Sequence, residues 1–266
     1  MSEETGKTPD ILERGAPVDG QPQTAETRLY MQLNVFTLSG AGSAGQPGQP
    51  GQPGQPGQPG QPRQTRSMAG DIAARLRDSG LDAAVYLDVN DPVGIGVLFL
   101  AEDPDTFVSE VRSLLTERPF DVLDRRGSMT MLGRTYSMGF EPDLMESLIH
   151  RPRNTVLNPD WPWVIWYPLR RNGAFARLEH KEQRQILMEH AHIGRAYGRA
   201  DFAHDIRLAC YGLDEADNDF VIGLIGKELY PLSRVVQDMR KTQQTALYID
   251  SLGPFFVGKK IWSSDP

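Results

Sequence analysis

The sequence predicts an α+β protein built from two tandem units with antiparallel sheets, and three observations predict it. The first half reads in the order strand, helix, strand, strand, helix, strand, and the second half repeats that order. An offset of about 125 residues lays Phe107, Val111 and Leu114 over Leu232, Val236 and Met239, so the apolar face of one helix recurs in the other half. The chain has 266 residues, of which 39% are hydrophobic and 24% charged, enough apolar material for a core in each unit.

Taken in order, residues 1–26 are polar and rich in Pro, Gly and Glu, and are expected to be a disordered tail. "RLYMQLNVFTL" is rich in β-branched, aromatic and aliphatic residues and reads as the first strand. Six Gly-Gln-Pro triplets run from Gly45 to Pro62. The array is too short for a collagen-like triple helix, so residues 40–66 are expected to form a disordered loop, which costs little because closure entropy grows only as the logarithm of length. "SMAGDIAARLRDSG" has helical spacing and stops at Gly80, and "DAAVYLDV" and "VGIGVLFLA" are strands around the turn "NDPVG". "DPDTFVSEVRSLLTE" opens on Asp-Pro and puts Phe107, Val111, Leu114 and Leu115 on one helical face, and "FDVLDRRGSMTMLGRTYSM" is further strand. "FEPDLMESLIHRPRNTVLNPDWP" reads as a short helix and a proline-rich connector, which divides the chain into units 27–150 and 151–266.

In the second unit "WPWVIWYPL" is a strand, "EHKEQRQILMEHAHIGRAYG" a helix, "AHDIRLACYGL" and "NDFVIGLIG" strands, "YPLSRVVQDMRKT" a helix and "LGPFFVGKKIW" the last strand. Each unit then has the ferredoxin-like order, with helices on one face of an antiparallel sheet.

Composition narrows the function. A net charge of −7 with no cluster of Lys and Arg argues against a nucleic-acid partner. One cysteine excludes an internal disulfide and a thiolate metal cluster, and fits a reducing compartment. The first twenty residues lack a secretory signal and no apolar run is long enough for a membrane span, so a cytoplasmic location is expected. No P-loop, Gly-x-Gly-x-x-Gly after a strand, or serine nucleophile elbow is present.

Two of the five histidines fall in "QILMEHAHIGRAYG". Side chains two apart on a helix diverge by roughly 200°, so His190 and His192 cannot share a pocket. His190 joins the apolar stripe of Ile186, Leu187, Ile193 and Gly194, whereas His192 lies with Glu182, Gln185 and Glu189. Spacing leaves His190 as either a hydrogen-bonded core residue or a ligand. No second histidine follows at a zinc-binding interval, but haem iron needs only one. On the strand "AHDIRLACYG", Asp205, Arg207, Ala209 and Tyr211 share one face, and Arg207 is either an edge charge or a side chain aimed into a cavity. "WYPLRRNG" sets two arginines after a tyrosine, a cluster that could hold carboxylates or simply be solvated.

"MEHAHIGRAYG", "GLDEADNDFVIGL", "VVQDMRKTQQTALYI" and "LGPFFVG" together resemble the C-terminal signature of the chlorite dismutase family, which includes coprohaem decarboxylases; "LYMQLNVFT" and "MLGRTYS" extend the resemblance in outline to the first half. The resemblance implies two ferredoxin-like units joined as a dimeric α+β barrel, assembly into a homo-oligomer, often a pentamer, and an iron porphyrin cofactor, haem b or coprohaem. His190, in the place of the family's His-Gly-x-x-Gly-Arg histidine, becomes the expected iron ligand. The family's distal residue, Arg in chlorite dismutases and Gln in many decarboxylases, falls at Asp205, with Arg207 the alternative on the same strand face. The decarboxylases' Tyr-Pro-x-x-Lys pattern is met by Tyr167, Pro168 and Arg171, which implies Tyr167 as the redox residue and Arg171 as a propionate anchor; Arg240 in "DMRKT" matches a second anchor. Where the family has Asn-Trp-Tyr, this chain has "NGAFARL", with Phe175 as the aromatic residue there.

The expected function is therefore peroxide-driven oxidative decarboxylation of coprohaem, with hydrogen peroxide as the small partner. The alternatives are a haem peroxidase or chlorite-degrading enzyme, and a non-catalytic haem carrier or sensor.

Overall fold

The computed structural model describes residues 8–39 and 61–266. Its strands are β1 (Glu13–Val18), β2 (Gln21–Ala25), β3 (Tyr30–Leu38), β4 (Asp82–Asp88), β5 (Gly94–Ala101), β6 (Leu123–Arg125), β7 (Met131–Arg134), β8 (Trp163–Arg171), β9 (His204–Ala209), β10 (Phe220–Gly226), β11 (Ile249–Leu252) and β12 (Phe256–Ser263). The α-helices are α1 (Gln61–Ser79), α2 (Asp105–Val108), α3 (Glu110–Leu115), α4 (Arg151–Leu157), α5 (Gly173–Ala176), α6 (His180–Arg199), α7 (Leu229–Met239) and α8 (Gln243–Tyr248).

Each unit orders its four principal strands in the ferredoxin-like way, β7-β3-β5-β4 in the first and β12-β8-β10-β9 in the second. The units join edge to edge. β12 runs antiparallel to β4 over Gly258–Ser263, and β9 meets β7 at the single pair Arg134↔Ala209. These two seams close eight strands into a barrel, so the α+β architecture is that of two ferredoxin-like units sharing one continuous sheet.

Period-two alternation sends one set of side chains into the barrel and the other outward under the helices. Inside, Met31, Leu33, Tyr86, Leu98, Trp166, Ile206, Leu208 and Phe256 form one cluster, onto which Leu148, Ile149, Val156 and Leu157 of the connector also pack. Trp166 fits because Gly223 faces it: a Cβ at Gly223 would lie 2.5 Å from the indole ring. Outside, α1 and α3 cover the first unit's sheet over Phe36, Ile72, Leu76, Val97, Phe99, Val111 and Leu114. The second unit's outer face carries Ile165, Tyr167, Leu169, Phe220, Leu224, Leu232 and Val235. Cys210 is buried, and burial followed by Asp214 pushes its thiol up to about 12, so it stays a protonated packing residue at neutral pH.

Several expectations need correction. The segment expected to be a tail contains the hairpin β1–β2, fixed by the Gln23 side-chain amide, which donates to the carbonyls of Ala16, Glu141 and Pro142. Of the expected Gly-Gln-Pro loop, residues 40–60 lie outside the described residues, while residues 61–66 are already the first turns of α1. The helix expected from Asp103 onward is split into α2 and α3 at Ser109, whose φ of −102° and ψ of −82° leave the helical region. The division between 150 and 151 falls inside a helical connector, because a π-turn at Glu146–His150 leads directly into α4.

Candidate functional site

The outer face of the second sheet sets the site. Residues directly opposite in antiparallel pairs share a face, so the register aligns Tyr167, Ile222 and Arg207 in one row across β8, β10 and β9, and Ile165, Leu224 and Asp205 in the next. Tyr167 and Arg207 are thus two strands apart, about 10 Å. Helix α6 crosses this face, and its twenty residues bury only Ile186 fully. Leu187, His190, Ile193, Gly194 and Tyr197 are half-buried, whereas Glu182, Gln185, Glu189 and His192 are exposed.

His190 is held by a residue that the sequence did not single out. Its Nδ1 lies 3.3 Å from Oγ1 of Thr242, which is 1% exposed and caps the N-terminus of α8. The Thr242 hydroxyl donates to the carbonyl of Met239 at 2.8 Å, at the end of α7. With that proton committed, Oγ1 can only accept from the ring, which assigns the hydrogen to Nδ1 and leaves Nε2 with a bare lone pair. Burial first, then the charges of Arg207 and Arg171, hold the His190 pKa down to about 4, so the ring is neutral at physiological pH.

Tyr167 is 8% exposed and stacks on Phe255 with ring centroids 4.6 Å apart. Burial, then the negative charge of Asp205, raises its pKa, against a smaller opposing effect of Arg240; the phenol keeps its proton. Arg171 sits on β8, with its backbone N–H donating to Asp219 at 2.6 Å and its guanidinium over the rings of Phe175 at 4.8 Å and Phe220 at 4.6 Å. Its Nε is buried with no hydrogen-bond partner, and burial lowers its pKa. A guanidinium held by aromatic faces and short of an acceptor is suited to a carboxylate. Arg240 follows the last residue of α7, is exposed, and makes no ion pair among the described residues. Asp205 and Arg207 pair with each other at 3.1 Å and are each nearly half exposed, so the pair adds little stability.

The six residues expected to form the site therefore converge on one sheet face and the helices over it. Phe220 is the other contributor missed from sequence: as one apolar residue in a strand, nothing in its pattern signals contact with Arg171. Among the described residues no group of three or more His, Cys, Asp or Glu could hold a metal ion, and no helix is long and apolar enough to cross a membrane.

A search among curated proteins finds no match. Solved structures share the fold. A protein assigned as a chlorite dismutase superposes with a TM-score of 0.64 at 12% identity, covering 89% of this chain and 96% of its own. A haem-binding protein from Thermus thermophilus gives 0.62 at 22% identity, over 88% of this chain and 91% of its own. Chlorite dismutase from Candidatus Nitrospira defluvii, in complex with imidazole, gives 0.62 at 13% identity, over 89% and 92%. The sequence profile of the chlorite dismutase family matches residues 81–261, which take in most of β12 and every site residue above, so the chain belongs to the chlorite dismutase family.

Proposed function

We propose that the protein is a haem-dependent oxidoreductase whose reaction is the peroxide-driven oxidative decarboxylation of coprohaem. The observation that carries this reading is the His190–Thr242 geometry, a neutral imidazole whose Nδ1 proton is directed at Thr242, which leaves Nε2 as the nitrogen with a lone pair. A single nitrogen ligand of this kind suits porphyrin iron. The remaining donors fit the same group: Arg171 has a buried Nε without an acceptor and Arg240 a guanidinium without a counter-ion, which match two carboxylates of a porphyrin edge. Leu187, Ile193, Ile222 and Leu224 supply apolar surface between the helices and the sheet.

When bound, the haem would supply the redox chemistry that couples peroxide to the substrate. Converting one propionate to a vinyl group releases carbon dioxide and gives up two electrons and a proton, and hydrogen peroxide takes these with one further proton to become two waters. In this reading, Tyr167 is the redox residue: its buried, protonated phenol can yield a proton and an electron together, without passing through a phenolate. Arg171 and Arg240 orient the carboxylates, and Arg207 and Asp205 face the oxidant, Arg207 as a donor to oxygen and Asp205 as a proton acceptor.

A haem peroxidase or chlorite-degrading enzyme is the second reading, favoured by an arginine opposite His190; a haem carrier or sensor is the third, favoured by the Asp205–Arg207 pair already satisfying that arginine. We also propose a cytoplasmic location, self-association into a homo-oligomer, and action on the porphyrin with hydrogen peroxide as co-reactant. The experiment is to add coprohaem and peroxide and follow the porphyrin by mass. Vinyl products with loss of carbon dioxide support the first reading. Dioxygen from chlorite with no porphyrin change selects the second, and tight haem binding with neither reaction the third.

A further inference from the structure

Helix α8 has six residues, a span of roughly 9 Å at 1.5 Å per residue, yet it joins two parts of the site that share no hydrogen bond. At its N-terminus stand Thr242, whose Oγ1 lies 3.3 Å from His190 Nδ1, and Gln243, whose N–H donates to the Glu189 carboxylate at 3.1 Å. At its C-terminus Asn172 holds the last two carbonyls: its side-chain amide donates to Leu247 at 2.9 Å and its backbone N–H to Tyr248 at 3.0 Å. The Tyr248 ring meets Phe175 edge-on at 5.6 Å, and Phe175 is one of the two rings beneath the Arg171 guanidinium. The next residue, Ile249, opens β11 and pairs with Arg171 itself.

Between these ends α8 is fastened by little else. None of its residues joins an apolar cluster, and Leu247 is 61% exposed. Its one buried side chain, Gln244, keeps Oε1 without a hydrogen-bond partner. Asn172 Oδ1 and Arg171 Nε are also buried and unpartnered, so three of the six such atoms among the described residues gather at this helix and its anchor. Buried polar groups short of partners are costly, so a ligand that satisfies one of them can offset a rearrangement of its neighbours. The contact at the far end is slack: 3.3 Å exceeds the usual length of about 2.9–3.0 Å for an N–H···O bond, so a small displacement of α8 tightens or breaks it.

We infer that α8 is a positioning element that couples the Arg171 anchor to His190: a carboxylate held at Arg171 shifts α8 through Asn172 and resets the contact between Thr242 and Nδ1. The imidazole then grips a porphyrin iron differently while the anchor is occupied than after that carboxylate is lost. The carboxylate's part rests on the haem reading above, whereas the link through α8 does not, and two measurements separate them.

The first uses the haem-free full chain and the ring nitrogen resonances of His190 by NMR. Asn172→Ala removes the side-chain bond to Leu247, and Ala246→Gly loosens an exposed position in the middle of the helix. Each should shift those resonances, although neither residue bonds to His190. Leu247→Ala, an exposed change that keeps both fastenings, should leave them in place. Unmoved resonances in both of the first two variants, with the fold intact by circular dichroism, would overturn the link. The second uses the haem-loaded full chain and the ferrous iron–histidine stretching band by resonance Raman. The band should differ between coprohaem and its methyl ester in the unmodified chain, and the difference should vanish in Asn172→Ala. One band position for both porphyrins in the unmodified chain, or an equal difference in Asn172→Ala, would overturn the carboxylate's part. If the unmodified chain took up no haem, the failure would belong to the cofactor reading, and the haem-free resonances would still decide the link.

Discussion

The two units share one topology but treat their helix-covered faces differently. In the first, α1 presses Ala69, Ile72, Ala73 and Leu76 onto the sheet, each no more than 6% exposed, and the face is dry and apolar. In the second, α6 buries only Ile186 and holds a neutral histidine over a face that carries Tyr167, Asp205 and Arg207. The same scaffold thus yields an apolar face under the helices of the first unit and, in the second, an apolar face interrupted by ionisable side chains. A buried polar group without a partner, such as the Nε of Arg171, marks where a ligand would complete the second face.

That contrast can be broken or sharpened by substitution. The largest effect on folding should come from the shared interior: Trp166→Ala removes a fully buried side chain of the barrel and should cost about 3–5 kcal/mol in urea unfolding, with both units lost together. Ile72→Ala should cost about 2–5 kcal/mol and leave porphyrin affinity unchanged, whereas half-buried Leu187→Ala should cost less in stability and weaken porphyrin binding. Equal porphyrin effects from these two changes would erase the contrast. Tyr167→Phe should bind coprohaem normally but form no vinyl product by mass spectrometry. Arg171→Leu should weaken coprohaem binding roughly tenfold to a hundredfold, the size of a lost charge-assisted hydrogen bond, and have far less effect on the porphyrin's methyl ester.

The smallest effect is a titration. In the haem-free chain, NMR should find His190 neutral down to about pH 4, against 6.5 for an unperturbed imidazole. The unfolded chain therefore takes up a proton between these values that the folded chain refuses. This residue's contribution to stability is full above the upper value and is lost as the pH falls toward the lower.

Much of the architecture was legible because apolar periodicity survives in the elements that build the two units; Val111 and Leu114 are buried as their helical spacing predicted. The β1–β2 hairpin was not, because "ERGAPV" and "QPQTA" show no apolar alternation and are fixed by contacts to residues 141 and 142. Closure of the barrel was not legible from periodicity either, since it depends on Gly258 pairing with Asp88 and Arg134 with Ala209, and reached the reading only through the family resemblance. At the site, the stripe on α6 separated His190 from His192 on physical grounds. Thr242 gave no such signal, because a threonine after a helix is read as a cap, and its contact with His190 joins residues 52 apart.

The central claim is that one imidazole, His190, holds the iron of a porphyrin between α6 and the second sheet. The most direct measurement is the absorption spectrum of the haem-loaded protein with and without His190→Ala, checked for folding by circular dichroism. The account predicts loss of the histidine-ligated Soret band in a folded variant. Retention of the full spectrum would contradict it and move the iron to another residue.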